Sequence, residues 1–64
     1  MSANDALARA EQLLAKVEEA RKRLEATEDS EQAVEILTEL AELAREIEAE
    51  LTRARREAEA DAGA

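Results

Sequence analysis

Apolar residues recur along this chain at alternating steps of three and four, the spacing that puts them on one face of a helix. In the first part they fall at Ala3, Leu7, Ala10, Leu14, Val17 and Leu24, with Arg21 the single interruption of the rhythm. The same rhythm resumes through Ala33, Leu37, Leu40, Ala44, Ile47, Leu51, Ala54 and Ala58. The two stretches do not share a phase. Continuing the first would require apolar residues where the chain has Glu28, Glu31, Glu35 and Thr38. A slip of two residues turns an apolar face by about 200°, so one continuous helix would point its two halves in opposite directions. The pattern predicts two amphipathic helices, over about 5–26 and 30–60, joined by a turn at 27–30. Residues 1–4 are expected as a frayed start and 61–64 as a disordered tail. One bent helix is the alternative, because the turn has neither Gly nor Pro.

Polar residues at the predicted ends support the division. Asn4 or Ser2 can cap the first helix. Asp29 at the second N-cap places Gln32 three residues on, the reciprocal capping-box spacing, with Ser30 as the alternative cap. Acidic residues then fill the first turn, where the helix dipole favours them.

Both apolar stripes are wider than a two-stranded seam needs. Ala6, Leu13 and Ala20 adjoin the first; Val34, Ile36, Ala41 and Leu43 flank the second. Three apolar positions in seven describe a bundle helix. The expected core and interface residues are Leu7, Leu13, Leu14, Val17, Leu24, Val34, Ile36, Leu37, Leu40, Leu43, Ala44, Ile47 and Leu51. An antiparallel hairpin would set Leu24 against Ala33, Val17 against Leu40, Leu14 against Ala44 and Leu7 against Leu51. The second helix would overhang the first, with Arg53, Arg55 and Arg56 near the open end. Two helices share only one interface, so stripes this wide stay partly uncovered. A chain of 64 residues has little core to spare, and small domains usually add disulfides, metals or oligomerisation. There is no Cys and no His, which removes the first support and the best ligands for the second. The expected fold is all-α: a two-helix antiparallel hairpin that completes a four-helix bundle by dimerisation.

Charge separates the helices further. Residues 1–27 carry five acids and five bases, whereas residues 28–50 carry nine acids against Arg45 alone and so hold the whole net charge of −8. Glu31, Glu35, Glu39, Glu42, Glu46 and Glu50 follow one another at helical spacing, the pattern of a solvated outer face or of a docking face for a basic partner. Arg21 is different, because it occupies a seam position. It reads either as a side chain that snorkels near a helix end or as a register determinant paired with an acid across an interface.

The chain offers no material for catalysis. Without Cys or His, nucleophile–base pairs and most transition-metal sites cannot be assembled, and the Glu-x-x-His signature of di-iron bundles is missing. The only glycine is Gly63, so there is no phosphate-cradling loop. Arg21-Lys22-Arg23 and Arg53-x-Arg55-Arg56 are short basic clusters without aromatic residues to stack bases, on a chain whose charge repels phosphate. No apolar run is long enough for a membrane span, and no secretory leader is evident. These readings predict a non-enzymatic, cytoplasmic protein with no cofactor, metal, small molecule, membrane or direct nucleic-acid contact. Its partner would be a second copy of itself or a larger protein subunit.

Arg23-Leu24-Glu25, a short acidic connection, Glu31-Gln32-Ala33-Val34-Glu35-Ile36 and Leu43-Ala44-Arg45 resemble the exodeoxyribonuclease VII small subunit. The resemblance covers about residues 7–54. It implies a helical hairpin without an active site that accompanies a large DNA-degrading subunit. A designed bundle with no natural function is a third reading, suggested by the regular heptads and opposed by the acidic stripe and the glycine-free turn. Protein–protein association as a homodimeric four-helix bundle is the expectation the residues themselves carry.

Overall fold

The computed structural model describes residues 2–63; Met1 and Ala64, the outermost residues of the expected frayed start and tail, lie outside the described residues. Two helices, α1 (Ala3–Ala26) and α2 (Ser30–Gly63), pack against each other. There are two helices and a break, not one bent helix.

α1 begins two residues before the expected start because Ser2 and Asp5 form a capping box. The Asp5 backbone N–H donates to Ser2 Oγ at 3.2 Å, and the Ser2 N–H donates to Asp5 Oδ2 at 3.3 Å. Two N–H groups that the helix leaves orphaned are thereby satisfied. Ser2 is therefore the cap, and Asn4 lies inside the helix.

The turn is three residues, Thr27–Asp29, and Ser30 is already helical. Thr27 leaves α1 in an extended conformation (φ −90°, ψ 140°) with its N–H bonded to the Leu24 carbonyl at 3.3 Å. No described residue has a positive φ, which is why the turn works without glycine. Asp29 caps α2 by accepting the Glu31 N–H on Oδ1 at 2.9 Å, while its carbonyl accepts the Ala33 N–H at 2.9 Å. Gln32 does not complete the expected reciprocal box there. Its Oε1 accepts the Thr27 hydroxyl at 3.2 Å instead, tying the end of α1 to the first turn of α2.

α2 runs on to Gly63, past residue 61 where the tail was expected to begin. Alanine and glutamate dominate Glu57–Ala60 and favour helix, and Arg55 pairs with Glu59 one turn later at 3.6 Å. The molecule is a rod, 53 × 14 × 13 Å.

The seam between the helices is not quite the stripe that the sequence suggests. Apart from Arg9, Thr52 and Glu57, which are half-buried beside it, the buried or half-buried positions on α1 are Ala3, Ala6, Ala10, Leu13, Val17, Ala20 and Leu24; on α2 they are Ala33, Ile36, Leu40, Leu43, Ile47, Glu50 and Ala54. Half of the expected a/d row is used, at 10, 17, 24, 33, 40, 47 and 54. The other half is replaced by the flanking row at 6, 13, 20, 36, 43 and 50. The replacement adds Ala6 and Ala20 to Ala10 and Ala54 among the buried apolar residues, where small side chains let the backbones approach.

Candidate protein–protein interface

Among the described residues, those that the seam rejects are the largest unsheltered apolar side chains. Leu7, Leu14, Val34, Leu37 and Leu51 are exposed, Leu14 to 55% and Val34 to 62%. Ala44 and Arg21, in the same rows, are exposed too. Leu14 and Ala44, like Leu7 and Leu51, are therefore not buried pairs of the hairpin. Leu13, Val17, Leu24, Ile36, Leu40, Leu43 and Ile47 do lie in the seam. The expected set of thirteen divides into seven seam residues and six on an open surface.

Helix geometry decides which surface that is. Leu7, Leu14 and Arg21 each follow a seam residue by one position (Ala6, Leu13, Ala20), and Leu37, Ala44 and Leu51 do the same (Ile36, Leu43, Glu50). One position is a turn of about 100°. In antiparallel helices a turn in the same sense carries both sets to the same broad face of the hairpin. The ion pairs give an independent check. Arg9 and Arg23 precede seam residues, and they reach across to α2: Arg9 Nε lies 3.0 Å from Glu50 Oε2, and Arg23 bonds Glu39. One broad face is thus bridged by charge. Residues displaced the other way occupy the opposite face, and these are the leucines.

Glu50 anchors the charged face. Its side chain is only 12% exposed and also pairs with Arg53 at 3.1 Å. The reading by residue type placed it on the solvated acidic stripe. Its seam position, three past Ile47 and four before Ala54, is the signal that identifies it as an inward-leaning partner for arginine.

On the apolar face, Arg21 is held within its own helix, by Glu18 at 3.2 Å and Glu25 at 2.8 Å. Its aliphatic stem continues the row begun by Leu7 and Leu14. The face is consequently a strip of leucine, valine and alanine with one tethered guanidinium near the turn.

Buried apolar material inside the hairpin is meagre. Four of the six buried apolar residues are alanines, and no large side chain is fully buried. A single chain exposes 4912 Å², whereas a compact monomer of 7.0 kDa would expose about 4,000 Å². The radius of gyration is 15.1 Å, against about 11 Å for a compact domain of this length.

Elsewhere the surface depressions are shallow and charged, such as that lined by Arg45, Glu48, Arg53, Arg56 and Glu57 on α2. Among the described residues no group of three or more acidic side chains is placed to hold a metal ion. No described helix is long and apolar enough to cross a membrane. Among the described residues Asp5 is the one carboxyl group with a marked shift: the Ser2 backbone N–H, then the Ser2 hydroxyl, hold its pKa below the usual aspartate value. That is a helix cap, not a catalytic device. Comparison with known proteins yields no match: no family model, no curated protein and no solved structure, and so no link to the exodeoxyribonuclease VII small subunit.

Proposed function

We propose that the chain is a self-assembly module, a hairpin that pairs with a second copy of itself through the face of Leu7, Leu14, Val34, Leu37 and Leu51 to close a four-helix bundle. The observation that carries this reading is the segregation of the two broad faces, one bridged by interhelical ion pairs and the other apolar and uncovered. Contiguous apolar patches of this kind mark interaction surfaces.

Area favours a second copy as the occupant. Two separate chains of this exposure would bury about 3,000 Å² in total on forming a compact body of twice the mass, within the range of obligate homodimers. A second copy presents the same apolar face, so one surface can serve both sides of a two-fold interface. Such a bundle has no chemistry of its own. Its activity is to hold together whatever is attached to, or recognised by, its acidic outer surface.

A dilution series followed by circular dichroism tests this. Helicity of the natural chain is expected to fall on dilution, as dimers give way to poorly buried monomers. Leu14→Asp is expected to shift that transition to roughly 100-fold higher concentration or beyond, equivalent to about 3 kcal/mol. Helicity independent of concentration in both chains would refute self-assembly and leave the apolar face to a different protein, such as a larger enzyme subunit.

A further inference from the structure

Resting on that self-assembly reading, we infer that the two hairpins lie with their turns at opposite ends, and that Arg21 dictates this orientation. The interhelical pairs Arg9–Glu50 and Arg23–Glu39 fix which residues stand side by side on α1 and α2. The apolar face then has three tiers: Leu7 with Leu51 near the open end, Leu14 with Ala44 in the middle, and Arg21 with Leu37 near the turn. Val34 lies just beyond the last. Neighbouring tiers are seven residues, about 10 Å, apart.

Face-to-face packing about a two-fold axis has two solutions. With the axis parallel to the helices, the turns share an end and like tiers meet. Four leucines then pack well at the open end, but both Arg21 guanidiniums enter one closed layer near the turn. Like charges brought together out of water are strongly unfavourable.

An axis perpendicular to the helices reverses one hairpin. The Leu14 and Ala44 tiers still meet in the middle, while each Arg21–Leu37 tier meets the partner's Leu7–Leu51 tier. The two guanidiniums now sit at opposite ends of the bundle, about 20 Å apart. Each stem covers leucine, and each head lies alongside the partner's Glu11, which directly follows the seam residue Ala10 and is exposed in the single chain. Arg21 keeps its own Glu18 and Glu25 while gaining that third carboxylate.

Net charge along the rod acts in the same direction. The half nearest the turn, residues 15–44, carries −5 of the total −8, and the open half carries −3. Turns at opposite ends spread that charge; turns side by side concentrate it. Screening beyond about 8 Å makes this the smaller effect.

The described chain contains no cysteine, so Glu28→Cys in the exposed turn accepts one nitroxide per copy. Electron–electron dipolar spectroscopy on the labelled dimer is expected to give a single distance near about 40 Å, twice the fourteen-residue span from the central tier to the turn. Arg21→Leu should add a population below about 25 Å, since the penalty on adjacent turns disappears. A natural-sequence dimer showing only the short distance overturns the inference while leaving self-assembly standing. An unchanged distribution in Arg21→Leu overturns the role given to Arg21. Sedimentation at 7.0 kDa with no dipolar coupling overturns the self-assembly reading, and the inference with it.

Discussion

The two broad faces of the hairpin are built from the same two helices and sit one residue to either side of the same seam. On one side that residue is Arg9, Lys16 or Arg23 on α1 and Glu39 or Glu46 on α2. Arg9 and Arg23 meet Glu50 and Glu39 across the seam, and the remaining charges lie at the exposed surface. On the other side it is Leu7, Leu14 or Arg21 on α1 and Leu37, Ala44 or Leu51 on α2. Two steps of about 100°, one to either side of the seam, thus separate a face bridged by charge from one left apolar and uncovered. Interhelical ion pairs give register at small energetic return, whereas leucines return free energy only when something covers them. The charged face fixes the register of the two helices, and the apolar face is the surface through which we propose that the hairpin associates.

Substitutions sharpen this contrast. Leu43→Ala removes a large buried seam residue and is expected to cost about 2–5 kcal/mol. The loss should appear at every protein concentration in chemical denaturation. Leu37→Ala, seven residues from Ala44 on the other row, should behave differently. Its cost, about 1–3 kcal/mol if the face is buried in the dimer, is expected at high concentration and should vanish in dilute solution. Equal effects of the two at all concentrations would erase the distinction between seam and face. Arg9→Ala should cost about 0.2–1 kcal/mol and leave the oligomeric mass unchanged, because it acts on the charged side alone.

The smallest effect concerns acid. Asp5 has a lowered pKa in the folded chain, so its contribution is fully present above the ordinary aspartate value of about 3.9. It is lost as pH falls through the lowered value. Asp5→Asn should flatten that part of an acid titration of helicity. A titration curve identical in both chains would show that the Ser2–Asp5 box does not hold the helix end.

Much of this was readable before any coordinates. The two-residue slip between Leu24 and Ala33 forces two helices, and the breadth of the stripes forces more than one apolar contact surface. Which row faces inward was not readable. Leu14 is a better core residue than Ala6 on composition alone, yet Ala6 is buried and Leu14 is not. A periodic pattern fixes an apolar sector of the helix, but the choice within that sector depends on the partner helix. Arg9 and Arg23 can meet their glutamates only if the seam turns toward the alanines. The extended Thr27 exit was also hidden, because glycine is the usual sign of a helix end and an extended threonine leaves none. Of the candidate interface, the residues were legible as apolar; their gathering on one side required the sense of rotation that the ion pairs supply.

Sedimentation equilibrium of the unmodified chain over a wide concentration range tests the central claim most directly. The account predicts a reversible transition from 7.0 kDa to twice that mass, with helicity rising in step. A fully helical chain that remains at 7.0 kDa at every concentration would contradict it.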